Sequence, residues 1–167
     1  MSIITIDFFG TLDKYADFWK EMLGYVMLEG IKIYVISGVM PSELVGRLEE
    51  LGYSERTHFT EAFSIFTHLS AKGEHIWYSE DHDSYRCSTE TYWNSKAEMC
   101  KRLGSRIHID DDVRFKYAFS KVATRFVYNR LDPGKSLIQK WHESLKLANT
   151  YTEWEDDYMS MYGFSPC

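Results

Sequence analysis

Little in the 167-residue sequence would staple the chain or fix it to a surface. Cysteine is scarce: Cys87, Cys100 and Cys167 are odd in number and far apart. That argues against a disulfide framework and fits reduced thiols in a reducing compartment. No apolar run approaches the roughly 20 residues that a membrane-spanning helix needs. No basic-then-apolar leader opens the sequence. The expectation is a soluble, cytoplasmic protein with no membrane partner. Positive charge is also short, with 19 Lys and Arg against 25 Asp and Glu and a net charge of -6 at pH 7. An acidic chain is a poor non-specific binder of nucleic acid, although it can still carry a local basic patch. No internal repeat, low-complexity tract or second domain is visible.

What is present is enough chain for one domain over residues 1–167. A chain of this size buries roughly 70% of its unfolded surface and needs no staples. Residues 2–12 read Ser-Ile-Ile-Thr-Ile-Asp-Phe-Phe-Gly-Thr-Leu. The short β-branched run without alternation predicts a buried parallel strand ending at Asp7. An acid there lies where open α/β sheets hold their ligands. Gly10 can turn the chain, and Thr11 can offer a hydroxyl and a backbone N–H to an anion.

Residues 14–30 carry Tyr15, Phe18, Trp19, Met22, Leu23, Val26 and Met27 at helical spacing, which predicts an amphipathic helix. Residues 31–38 predict a second strand closed by Ser37 and Gly38. Pro41 then opens a helix that stops at Gly52. Strand, helix, strand, helix argues for a parallel sheet with right-handed crossovers. Residues 62–66 and 75–78 each read as a strand. One is the third core strand, and the remainder is a loop or a small hairpin insertion at about 67–93. Residues 95–104 predict a helix with a Ser95/Glu98 capping box and a stop at Gly104. Lys96 would then stand at the first helical position, where a cation opposes the helix dipole and suggests an anionic partner.

Residues 106–112 predict a strand ending in Asp110, Asp111 and Asp112. Clustered carboxylates repel one another, and a hard cation with oxygen ligands explains them best. Asp112 reads as the N-cap of a helix starting near Val113. His108 reads as a core or sheet-face residue. Residues 123–129 predict a fifth strand, 132–134 a turn and 136–148 a last helix. The aromatic stretch before the capping box allows two sharper readings. His75, His82 and Cys87 could hold a metal, but at a spacing that matches no familiar zinc pattern. Trp77, Tyr78, Tyr85, Tyr92 or Trp93 could stack on a nucleobase or another planar group. Arg86 is the candidate contact for a substrate phosphate.

In this order, Asp7-x-x-Gly10-Thr11-Leu12, Ser37 at a strand end, Lys96 and the Asp110–Asp111 pair resemble the four motifs of the haloacid dehalogenase (HAD) superfamily. The resemblance covers most of the chain. It implies a three-layer, Rossmann-like α/β sandwich, with about five parallel strands and helices on both faces. It also implies a Mg2+-dependent phosphohydrolase. Asp7 would be the nucleophile. Gly10, Thr11, Ser37, Gly38 and Lys96 would bind the phosphoryl group, with Arg86 as a further contact. Asp7, the Phe9 carbonyl, Asp110 and Asp111 would hold Mg2+. The implied substrate is a phosphorylated small molecule or nucleotide, or a nucleic-acid end, in a site with little cap. One residue departs from the pattern. The second acid of the first motif is Phe9, which can neither protonate a leaving group nor activate water. Two other readings therefore stand beside a phosphatase. One is a dehalogenase- or phosphonatase-like hydrolase; the other is a non-catalytic protein that binds phosphate, nucleotide or a protein partner.

Overall fold

A computed structural model describes residues 2–129. The turn and helix expected over 132–148, and Cys167, lie outside the described residues. Five parallel strands form one sheet: β1 (Ile3–Asp7), β2 (Lys32–Ser37), β3 (Glu61–Ser64), β6 (Ile107–Asp110) and β7 (Arg125–Tyr128). Their order is β3-β2-β1-β6-β7. Two further strands, β4 (Trp77–Ser79) and β5 (Ser84–Arg86), pair only with each other, antiparallel. The chain thus fills one side of β1 first and then crosses to the other. The reversal between β1 and β6 opens a crevice at the carboxyl ends of the strands, where doubly wound sheets bind ligands.

Helices cover both faces of the sheet, giving the Rossmann-like three-layer sandwich. On one face, α1 (Ala16–Leu28) and α2 (Pro41–Glu50) pack Phe18, Trp19, Leu23, Leu44 and Leu48 on Ile6, Ile33, Val35, Ile109 and Val127. On the other, α3 (Ile65–Ala71), α4 (Thr89–Leu103) and α5 (Lys116–Phe119) bring Ile65, Leu69, Ala97, Met99, Cys100 and Phe119 against Ile36 and Phe126. Alternate residues of each strand point to opposite faces. In register, Ile6 lies between Val35 and Ile109, while its neighbour Thr5 lies beside His108. The first row faces α1 and α2; Thr5 bonds to Cys100 of α4.

The structure settles one open choice and corrects two expectations. Of the two candidate runs in the middle of the chain, Glu61–Ser64 is the core strand, and Trp77–Ser79 belongs to the hairpin. The residues just after β3 form a helix, not more strand: the Ser64 hydroxyl accepts from Thr67 N and caps α3. Helix α4 begins six residues before the predicted start. Ser88 is its N-cap, accepting from Thr91 N, whereas the Ser95 hydroxyl donates back to the Tyr92 carbonyl inside the helix. Tyr92 and Trp93 pack on Phe115, and that burial sustains the two extra turns. Lys96 therefore sits in the helix interior, not at its start. The helix ends at Gly104, whose φ of +70° suits the left-handed position after a last turn. No helix among the described residues is long and apolar enough to cross a membrane.

Candidate functional site: a lysine between two buried carboxylates

The carboxyl ends of β1, β2 and β6 deliver Asp7, Ser37 and Asp110 to one edge of the sheet. From α4 above them, Lys96 reaches down with its ammonium buried. Its Nζ lies 2.7 Å from Asp7 Oδ1 and 2.6 Å from Asp110 Oδ2. It also rides over the Phe115 ring, 4.1 Å from the centroid. Two carboxylates of its own fold thus face Lys96, and no opposed helix dipole points to an anionic partner, because Lys96 lies in the helix interior.

Asp110 is heavily engaged. Its Oδ1 accepts from Asp112 N at 2.8 Å, and its Oδ2 also meets His108 Nε2 at 3.1 Å. The other ring nitrogen of His108 lies 3.0 Å from Thr5 Oγ1, which in turn contacts Cys100 Sγ and Ser105 Oγ, each at 3.1 Å. His108 stacks flat on Phe119 with centroids 5.1 Å apart. Asp112 accepts from Arg114 N and pairs with its guanidinium, so it caps the turn as expected.

Asp111 projects the other way, beside the irregular turn formed by Phe8–Leu12. Gly10 holds a φ of +74° there, and a Cβ on it would overlap the Asp111 carboxylate. Only glycine fits that position, for both reasons. Asp7, Asp110 and Asp111 each present an oxygen within 4.8 Å of the others. Among the described residues they are the one group of His, Cys, Asp or Glu able to hold an ion. His75, His82 and Cys87 are not brought together, which overturns the metal reading for them: His75 stacks on Trp77, and Cys87 packs against the core.

The electrostatics follow from burial. Desolvation raises Asp7 well above the ordinary carboxylate range, Asp110 and Asp111 push the same way, and Lys96 opposes them. For Asp110, desolvation is overcome by the Lys96 charge and the His108 hydrogen bond, so its carboxyl falls below the ordinary range. The two acids share one ammonium, and Asp110 has two further partners in His108 and the Asp112 amide. Burial alone would lower Lys96, but Asp110 and Asp7 hold it above its ordinary value and fully charged. Asp111, about half-buried, is raised to about 6 by desolvation and by Asp110. With all three carboxylates ionised around one ammonium, the cluster would carry an excess of two negative charges. An all-oxygen donor set with that excess fits a hard divalent cation.

Two hydroxyls remain. Thr11 Oγ1 and Ser37 Oγ are fully buried and have no hydrogen-bond partner among the described residues. Buried polar atoms are nearly always paired, so the two hydroxyls at this edge are donors open to an acceptor. Gly38 follows, with the Tyr92 hydroxyl 3.3 Å from where its Cβ would stand. Phe9 is 39% exposed, and Arg47 lies over its ring at 5.4 Å.

Arg86 does not join the cluster. It is exposed on the hairpin, opposite Trp77. Trp77, Tyr78 and Tyr85 are exposed there, while Tyr92 and Trp93 serve the core. Two members of the site, Thr5 and His108, escaped notice as network residues. Their signal was a polar residue two positions before an acid in an otherwise apolar strand, Thr5-x-Asp7 and His108-x-Asp110, which shares the acid's face. Comparison with protein-family models, curated proteins and solved structures finds no match to this chain.

Proposed function

We propose that the protein is a Mg2+-dependent phosphohydrolase of the haloacid dehalogenase type, acting through an aspartyl-phosphate on Asp7. The single observation that carries this reading is the buried Lys96 ammonium bonded to both Asp7 and Asp110, beside the partnerless hydroxyls of Thr11 and Ser37.

Asp7 Oδ2 has no hydrogen-bond partner among the described residues, so it is the oxygen free to attack phosphorus. Lys96 keeps its proton and offers a fixed positive charge to the phosphoryl oxygens. Thr11 and Ser37 donate their hydroxyl protons to the same oxygens. Asp110, held by three donors, keeps Lys96 from collapsing fully onto the nucleophile. Asp7, the Phe9 carbonyl, Asp110 and Asp111 would hold the ion. Bound Mg2+ would offset the repulsion between Asp7 and an anionic substrate and keep Asp7 ionised. Gly10 leaves the room that Asp111 occupies. A nucleotide, another small phosphorylated molecule or a nucleic-acid end is the proposed substrate.

One observation favours a second reading, a phosphate-binding protein without turnover: Phe9 stands where an acid–base would be needed. Phosphate release from nucleotides, sugar phosphates, acyl phosphates and a 3′-phosphorylated oligonucleotide separates the two, measured with and without Mg2+ beside Asp7→Asn. Release that requires both Mg2+ and Asp7 is the expected result. Mg2+ binding by calorimetry with no release from any donor would favour the binder.

A further inference from the structure

The rim of the site has an unusual chemical character. Phe9 and Met40, 39% and 38% exposed, sit on the segments that follow the carboxyl ends of β1 and β2. Arg47 of α2 lies over Phe9, steered by Glu43, whose Oε1 accepts from Arg47 Nε at 3.0 Å and from Nη2 at 2.8 Å. Asp7 lies behind this rim and is buried. An in-line attack by Asp7 expels the leaving group away from the carboxylate, and the first exposed residues beyond the ends of β1 and β2 are Phe9, with Arg47 over its ring, and Met40.

Among the described residues, none near this rim is placed as a proton donor. Phe9 has none. The Asp13 carboxylate accepts from Gly10 N at 2.7 Å and closes the turn. Burial raises the Tyr92 phenol above its ordinary value, which makes it a poorer acid. Lys96 is bound to two carboxylates. His82 is exposed on the hairpin. An alkoxide leaving group needs a proton; a carboxylate or phosphate does not.

We propose that the substrate is a phosphoryl donor whose leaving group departs as a stable anion, an acyl phosphate or a phosphoanhydride, and that Arg47 receives that anion. This rests on the reading of Asp7 as nucleophile. In the first step Asp7 Oδ2 bonds to phosphorus. The bond from phosphorus to the bridging oxygen breaks with its electron pair on that oxygen, and the carboxylate or phosphate leaves without taking a proton. In the second step water attacks the phosphorus of the aspartyl-phosphate. The Asp7–phosphorus link breaks with its pair returning to the carboxylate, and the water's proton passes to the released phosphate or to solvent. With no side chain placed as base, this step is slow and the aspartyl-phosphate accumulates.

The test mixes the whole protein and Mg2+ with acetyl phosphate, pyrophosphate or glycerol 3-phosphate. Covalent phosphate on Asp7 is followed by intact mass and peptide mapping, and products in parallel. The expected result is phosphorylated Asp7 building up with acetyl phosphate, pyrophosphate or both. Its formation should be at least about 100-fold faster than with glycerol 3-phosphate. Arg47→Ala, an exposed change, should slow the favoured donor about 10-fold. Equal rates with glycerol 3-phosphate would overturn the leaving-group assignment and leave Asp7 chemistry standing. Unchanged rates in Arg47→Ala would remove Arg47 from it. No phosphate on Asp7 from any donor, and no release sensitive to Asp7→Asn, would overturn the nucleophile and this inference together.

Discussion

The two faces of β1 and β6 are built from alternating residues of the same strands, yet they are opposites. Toward α1 and α2 they present Ile4, Ile6, Ile107 and Ile109, a dry apolar row. Toward α4 they present Thr5, Asp7, His108 and Asp110, all buried and all polar. The first face stabilises the fold by removing hydrocarbon from water. The second is held by directed contacts in which each group depends on its neighbour: Lys96 on two acids, Asp110 on Lys96 and His108, His108 on Thr5. Buried charges cost desolvation that their pairing only partly offsets. A fold under no chemical demand would be at least as stable with both faces apolar. The contrast teaches that the α4 face is where this sequence carries buried charge that packing alone does not require.

The largest expected effect breaks the polar face. Lys96→Met keeps most of the packing on Phe115 but strips Asp7 of its cation and leaves Asp110 with only His108 and the Asp112 amide. Urea denaturation at pH 7 should show a loss of about 4 kcal/mol. A loss below about 1 kcal/mol would mean that the lysine pairs like a surface residue and that the face is wet. The dry face should respond by a different mechanism. Ile109→Ala removes packed methyl groups without stranding a charge, at a cost of about 3 kcal/mol. That cost should be nearly the same at every pH where the protein is folded, whereas the Lys96 effect should shrink in acid as the carboxylates take up protons. Matching pH profiles for the two variants would erase the distinction between the faces.

Much of this was legible in the sequence because strands β1, β2 and β6 announce themselves twice: by a β-branched run, and by the polar residue that closes it. Asp7, Ser37 and Asp110 were placed at strand ends on that basis, and the Asp112 cap followed from its neighbours. The start of α4 was not legible. Two serines, Ser88 and Ser95, stand before acceptable helix, and the choice is made by the burial of Tyr92 and Trp93 on Phe115, a contact more than 20 residues away in the chain. The Asp110–His108–Thr5–Cys100 network joins residues up to 103 positions apart and needs the β1–β6 register before it can be seen. Arg86, the expected phosphate contact, stands on a hairpin that is not part of the main sheet.

The smallest effect has the opposite sign and sharpens the comparison at the rim. Asp111 belongs to neither face: it is half-buried, lies against Gly10 and forms no ion pair among the described residues. Its carboxyl is raised from 3.8 to about 6, first by desolvation and then by Asp110. Between those two values the folded protein holds a proton that the unfolded chain has released. Stability from this group therefore falls as pH rises through that window, and the full penalty is in place above about pH 6. Asp111→Asn removes it. After allowance for solvent screening, the metal-free variant should be about 1 kcal/mol more stable than the parent at pH 7. That is a rise of about 2–4 °C in Tm, and the gap should close near pH 3.5. Excess Mg2+ should reverse the ranking, because the carboxylate that destabilises the empty site is the one that would bind the ion, and ligand binding to the folded state adds stability. Melting curves at both pH values, with and without Mg2+, read all of this in one experiment. A variant that is less stable at pH 7 without metal would show that Asp111 is already paired, and a ranking indifferent to Mg2+ would remove it from the ion's ligands.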